Sequence, residues 1–595
     1  MQTRHGSRFA PFAALGALCA LLAAGCGSQA RPTSLVLITL DTVRADALGC
    51  YGAKPSVTPA LDALSRESVL YEAARTVMPA TLPAHASMLT GLYPNRHGVR
   101  DNSLNALPST ARTLAESAAA RGFATGAFVS AKVLDRAFGL DQGFEVYSQP
   151  ARERQSVDHP TFATRPGRET AREAATWLAN LPAERACFAW VHLFDAHQPW
   201  PTDAAALARS GGNPYLAGVA AADDAVADVV AALRTSGRLA HTVVIVVGDH
   251  GESLGQHGEA THGHMVFDST LRVPLLVRVP DGSRAGERSR EIVSVADVHP
   301  TACAALGLEA GAEVDGESLW RRQVSPERGV YFESYYGYLH FGLAPLAGWV
   351  DARGKYVHSS RREFYAPHEA PAEERNLLDE RASDVERYRL ALEEVAARPS
   401  LPAPERAELS AQAVRDLAAL GYAASTGALA PLPHPLAPSE RASPHDSAEA
   451  LRRVEAAEAL MRNGRAAQAA AAFEAVLAEQ PANAFAWELL GYCRASEGRF
   501  DKAHEALARA LELGPERASV LKALGHALER LDQPDAALAA WERAHELDPS
   551  DVEVLRFLLQ AAQYRGDEAQ SARWRERLSR AQSAEPNVAV PRGAR

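Results

Sequence analysis

Two continuous apolar runs organise the first half of the chain, S-L-V-L-I-T-L at 34–40 and T-V-V-I-V-V-G at 242–248. Neither alternates apolar with polar residues, so both are expected to be strands buried on two faces, in a mostly parallel sheet. Each run ends in acid: Asp41 follows the first, and Asp249 and His250 follow the second. Beyond about residue 448 the pattern changes to a 34-residue repeat. W-E-L-L-G-Y at 487–492 recurs as L-K-A-L-G-H at 521–526, and Pro481, Pro515 and Pro549 keep the same interval. Ala469, Ala503 and Ala537, with Gly464, Gly498 and Gly566 at turns, complete a pattern of three helical hairpins and a degenerate fourth. Such hairpins bury their apolar faces only by stacking, so an array with a concave groove is expected. Between the two patterns, residues 396–447 are rich in Pro and Ala, as in A-L-A-P-L-P-H-P-L-A-P-S at 428–439, and read as a semi-extended linker.

In open parallel sheets, ligands bind beyond the carboxyl ends of the strands, where Asp41, Asp249 and His250 fall. An acid after a strand is also an ordinary turn or capping residue. The pairing of two such strand ends turns the reading towards one divalent cation. Mixed carboxylate and imidazole ligation favours Zn or Mn, with Ca or Mg open because they prefer oxygen shells. Arg44 is a candidate substrate contact, although an Arg44–Asp46 pair bracing the loop is the favoured role.

Several stretches in order resemble the sulfatase and alkaline-phosphatase superfamily, from about residue 34 to about 380. They are L-D-T-V-R-A-D-A-L-G-C-Y-G at 40–52, T-L-P-A-H-A-S-M-L-T-G at 81–91, G-L-Y-P-N-R-H-G at 91–98, V-H-L-F-D-A-H-Q-P at 191–199, G-D-H-G-E-S-L-G-Q-H-G at 248–258 and L-R-V-P-L-L-V at 271–277. The resemblance implies an α/β sandwich with a mostly parallel central sheet, with Asp41, Asp249 and His250 as metal ligands. It implies Thr81 as nucleophile and fourth ligand, His197 and His262 as catalytic groups, and His264 as a substrate contact. The chain departs from sulfatases where it matters most. Thr81 stands at the residue they convert to formylglycine, and His85 replaces their Arg. Asp41 is followed by Thr42 rather than a second Asp, and T-G-A-F-V-S-A-K at 125–132 lacks their sulfate-clamping Lys and His. Threonine cannot become an aldehyde hydrate, so its plain hydroxyl would attack, and phosphate is preferred to sulfate. The alternatives are a phosphotransferase acting on a glycan or lipid acceptor, and a non-catalytic scaffold. His85, His97, His192 and His257 read as supporting residues.

At 595 residues the chain is too long for one core. The expected division is a signal segment at 1–25, a catalytic domain at 33–395, the linker at 396–447 and tetratricopeptide repeats at 448–582. Arg4, Arg8, the apolar stretch at 9–22 and L-A-A-G-C ending at Cys26 resemble a bacterial lipoprotein signal. Cys26 would be lipidated and the body anchored to a membrane of the cell envelope, or secreted if the lipobox is not used. Cys50, Cys187, Cys303 and Cys493 are too scattered for a disulfide framework or a zinc spacing. A net charge of −11 offers no basic stripe, so nucleic acid is excluded as a partner. The expected partners are a small or glycan- or lipid-linked anionic ester at the site, and a protein or peptide on the repeats.

Overall fold

A computed structural model describes residues 33–583 except 103–104, 151–163, 201–203, 321–326, 368–369, 403–431, 515 and 550. Cys26 and the signal segment lie outside the described residues.

The first domain is built on eight strands: β1 (Ser34–Leu40), β2 (Val69–Arg75), β3 (Ala124–Phe128), β4 (Val146–Ser148), β5 (Cys187–Leu193), β6 (Thr242–Gly248), β7 (Leu275–Arg278) and β8 (Arg288–Ser294). Their order is β4-β3-β5-β1-β6-β7-β2-β8, and every pairing is parallel except those of β7. Alternate residues of each central strand feed two separate cores. Leu35 and Leu37 of β1 join Phe188, Trp190, Val243 and Ile245 on one face. Val36, Ile38 and Leu40 join Ala189, Val191, Val244 and Val246 on the other. This two-sided burial explains the unbroken apolar runs. Leu40 pairs level with Leu193 and Gly248, so β1, β5 and β6 stop together and their acidic successors start side by side. A four-stranded antiparallel sheet, β9 (Gly329–Ser334), β10 (Leu346–Asp351), β11 (Gly354–His358) and β12 (Glu363–Tyr365), completes the domain.

Eight helices between Ala448 and Ser583 pair into four hairpins, the last three beginning at Ala484, Ala518 and Val552. Gly464, Gly498 and Gly566 turn three of them in the left-handed region, and Asp532 (φ 58°) occupies the corresponding turn of the third. A non-glycine residue pays about 1 kcal/mol or more there, though Asp tolerates it better than most. Asp532→Gly is therefore expected to stabilise the array by roughly 0.5 kcal/mol, read as a raised urea midpoint at constant m-value.

The expected linker is not free of contacts. Leu401 donates its N–H to the Arg96 carbonyl (2.8 Å), the Tyr335 hydroxyl donates to the Pro433 carbonyl (2.9 Å), and the Ala344 N–H donates to the Ala442 carbonyl (2.8 Å). Arg441 lies over the Tyr338 ring, and Arg361 pairs with Asp446. Among the described residues of this stretch, Pro444–Asp446 forms a short 3₁₀ turn, and the rest docks through its backbone. His445 bonds Glu363, which also accepts from Tyr365 and Arg361. Burial alone would raise Glu363, but these hydrogen bonds outweigh it and hold the carboxyl at about 2. A depressed carboxyl contributes stability above its unfolded value, near 4.5, and loses it as pH falls towards 2. Urea titrations across that window should show Glu363→Gln with a flatter acid limb than the parent protein.

Among the described residues, no helix is long and apolar enough to cross a membrane.

Candidate active site

Thr81 opens a ten-residue helix, Thr81–Thr90, whose every residue is buried. Ala80 enters it extended, Asn102 Oδ1 accepts the Leu82 N–H (2.8 Å), and Gly91 (φ 72°) ends it. The hydroxyl sits where the helix dipole favours negative charge. It lies 3.3 Å from Asp41 Oδ2 and 3.3 Å from His250 Nε2.

The tautomers follow from partners that can only donate or only accept. His250 Nδ1 donates to the Gly251 carbonyl (2.9 Å), so its Nε2 faces Thr81 and Asp249 Oδ2 (3.6 Å). Asp249 Oδ1 accepts from the N–H groups of Thr42 (3.1 Å) and His250 (2.7 Å). His192 Nδ1 accepts the Ser130 N–H (3.3 Å), so its Nε2–H holds Asp41 Oδ2 (3.2 Å). Trp190 donates to Thr39 Oγ (3.0 Å), Thr39 donates to His85 Nε2 (2.9 Å), and His85 Nδ1 donates to the Thr81 carbonyl (2.7 Å). His85 and His192 are therefore fully engaged in holding the first turn of the helix and Asp41. Burial drives them down, to about 3 and about 4.

Asp41 Oδ1 and Asp249 Oδ2 are buried without a hydrogen-bond partner. Burial raises Asp41, and burial together with the Asp41 charge raises Asp249 to about 6. Burial would lower His250, but Asp249 and Asp41 outweigh it and draw positive charge to that point. A single hydroxyl proton on Thr81 cannot satisfy both Asp41 and a neutral His250. Ligand atoms of Asp41, Asp249 and His250 lie within 4.8 Å of one another, and two orphaned carboxylate oxygens with an imidazole lone pair are a donor set for a divalent cation.

Residues 33–308 match the sulfatase family profile, and 454–519 and 518–561 match tetratricopeptide repeats. The chain carries a sulfatase-family domain followed by tetratricopeptide repeats. It is 26% identical to the uncharacterized sulfatase YidJ of Escherichia coli over 432 residues, covering 60% of this chain and 85% of YidJ. It is 28% identical to human arylsulfatase A over 360 residues, covering 51% and 69%. The fold is similar to the phosphonate monoester hydrolase of Agrobacterium radiobacter, with a TM-score of 0.51 and 22% identity over 61% of this chain and 95% of that one. A putative sulfatase from Bacteroides thetaiotaomicron gives 0.51 and 20%, over 62% and 92%.

In this sulfatase-family domain the loops after β5 and β6 bring further histidines together. His197 stacks on Phe194 (4.3 Å) and donates Nδ1–H to the Gln198 carbonyl (2.6 Å). His262 lies 4.4 Å from the His250 ring and 5.3 Å from the His197 ring. Its Nδ1 meets Glu252 Oε1 at 3.2 Å. Glu252 was not singled out from the sequence, although it stands within the G-D-H-G-E stretch; burial pushes its carboxyl up to about 7.

Two expected substrate contacts are placed elsewhere. His264 packs edge-on against Tyr336 (4.8 Å) and Phe341 (4.7 Å), because Gly263 (φ 104°) reverses the chain between it and His262. Arg44 pairs with Asp46 (2.7 Å) and donates to the Glu252 carbonyl and Gln256 Oε1 (both 2.9 Å). It brackets the loop and opens onto a separate cleft of about 990 Å³, lined also by Arg75, Asp268 and Arg272, that holds none of the candidate ligands.

Proposed function

We propose that this chain is a metal-dependent ester hydrolase in which Thr81 is the nucleophile, with phosphate esters preferred to sulfate esters. The observation that carries the reading is the Thr81 hydroxyl, 3.3 Å from both Asp41 Oδ2 and His250 Nε2, beside two orphaned carboxylate oxygens. Asp41, Asp249, His250 and Thr81 would hold one divalent ion, Zn or Mn by the mixture of donors. When bound, the ion lowers the pKa of a coordinated hydroxyl and neutralises charge on ester oxygens.

Thr81 Oγ, ionised to its alkoxide, attacks phosphorus in line, and the bond to the leaving oxygen breaks. Burial drives His262 down and Glu252 up, so the protonated Glu252 carboxyl hands its proton to His262 Nδ1 as Nε2–H passes its own to that oxygen, and His197 binds an equatorial oxygen. Water then attacks the threonine ester, with His262 taking its proton, and Thr81 is regenerated. Sulfatases with formylglycine eliminate sulfate through a second hydroxyl on the same carbon. Threonine has no second hydroxyl, so its ester must be released by attack on the central atom, which favours phosphorus.

Nitrophenyl phosphate, phosphodiester and sulfate should be compared with each of several metals, and the enzyme acid-quenched during turnover for mass spectrometry. Turnover of phosphate esters with a phosphate adduct on Thr81 is expected. Turnover of sulfate alone, with no adduct at Thr81, would overturn the reading.

A further inference from the structure

The loop that carries His262 runs from Gly255 to Phe267 and has almost no regular structure. On its inner side Glu259 closes it, accepting from Ser253 Oγ (3.0 Å), the His264 N–H (2.8 Å) and the Met265 N–H (3.2 Å). On its outer side it rests on residues from the far end of the chain. Phe267 is sandwiched between the rings of His257 (3.6 Å, 9°) and His445 (4.2 Å, 18°). His445 Nδ1 meets Glu363 Oε2 at 2.5 Å. A carboxylate accepts, so Nδ1 carries the hydrogen, and Nε2 accepts the Val266 N–H (3.3 Å). Three residues on, the first repeat helix begins against the loop: a Cβ on Gly258 would stand 2.9 Å from Ala448 Cβ.

A second contact reaches the nucleophile's helix. Arg517, at the start of the third hairpin, pairs with Glu488 (2.7 Å) and bonds His340 (3.4 Å). His340 bonds Asp101 (2.6 Å), and the next residue, Asn102, caps Leu82. Leu451, Val454 and Leu489 of the first two hairpins share one core with Phe341, Leu343 and Leu346 of the catalytic domain.

We propose that His445 is a positioning residue for His262, and that the docked start of the repeat array braces the loop carrying His262 rather than forming a separable adaptor. This rests on His262 acting as the leaving-group acid. His445 makes two of the outer anchors of that loop, one face of the Phe267 stack and the bond from the Val266 N–H, beside Ser334 Oγ on the Gly263 carbonyl (2.5 Å) and Lys355 Nζ on the Val266 carbonyl (2.8 Å). A misplacement of about 1 Å can cost on the order of 100-fold in rate.

The test uses full-length, metal-loaded enzyme and a series of aryl phosphates from nitrophenyl to unsubstituted phenyl. His262→Ala should steepen the dependence of kcat on leaving-group acidity, because poor leaving groups need the proton most. His445→Phe keeps a ring on Phe267 and removes both hydrogen bonds. It should steepen the dependence in the same sense, with roughly tenfold loss on the phenyl ester, little on the nitrophenyl ester, and KM and bound metal unchanged. His445→Gln can still accept from Val266 while losing the stack, and it is read on the same series if the Phe variant does not fold. Equal losses on all esters, or wild-type rates, in the folded His445 variant would overturn the proposal while leaving His262 as the acid. A flat response in His262→Ala would overturn the acid assignment and this inference with it.

Discussion

Thr81→Ala should lower kcat by roughly 10⁴-fold or more, the scale seen when an enzyme loses its nucleophile outright, while the protein stays folded and retains metal. The side chain is fully buried and its hydroxyl meets Asp41 and His250, so truncation removes the attacking atom and leaves Asp41, Asp249 and His250 in place. Alanine suits the first turn of a helix whose Leu82 N–H is capped from outside by Asn102. Thr81→Ser restores a hydroxyl at the same atom and should recover most of the rate. The acid-quenched adduct should move with it, appearing on serine in that variant and vanishing in Thr81→Ala. An alanine variant with rates near wild type would remove Thr81 from the chemistry. A serine variant as dead as alanine would mean that the hydroxyl alone does not explain its importance.

The strands were legible because β1 and β6 are buried on both faces, and that state leaves an unbroken apolar run. The acids were legible for the same reason: where such strands stop level, the next residues must share the sheet's end. Thr81 was visible through its surrounding motif, and its position beside Asp41 follows from the helix that it opens. The loop after β6 was harder. His262 and His264 are two residues apart in T-H-G-H, and no periodicity says which ring faces inward. The left-handed Gly263 decides it, and a glycine permits that conformation without announcing it. Glu252 and His262 meet only because the chain doubles back through Gly255, a loop reversal ten residues long that carries no repeating signal.

The repeats were read from a strict period, yet their docking was not. Leu451, Val454 and Phe485 look like ordinary hairpin residues, and nothing in a 34-residue period distinguishes a face turned to a peptide from one turned to the chain's own Phe341. The Pro-rich stretch misled for a related reason: composition reports the loss of long helix and strand, whereas Ala442 docks through its carbonyl and His445 from a single 3₁₀ turn, Pro444–Asp446.

Asp249→Asn should abolish metal retention and lower turnover by at least 10²- to 10³-fold, because removing a direct ligand should exceed the 10- to 100-fold cost of disturbing an outer-shell partner. The amide keeps the volume of the carboxylate, and its oxygen can still accept from the N–H groups of Thr42 and His250, so the loop is not asked to rearrange. What changes is the orphaned Oδ2, buried beside the orphaned Asp41 Oδ1. Without a cation, two fully buried carboxylates, each with one unpartnered oxygen, oppose each other, and neutralising one relieves that repulsion. The variant should therefore melt higher than the parent when both are stripped with a chelator, and lower when both are supplied with excess metal, where only the parent gains binding energy. Elemental analysis and thermal melts of the two proteins in the two conditions give four numbers whose order is fixed by this argument. Equal metal content in parent and variant, or a variant less stable than the parent in the stripped state, would show that Asp249 serves the fold rather than the ion.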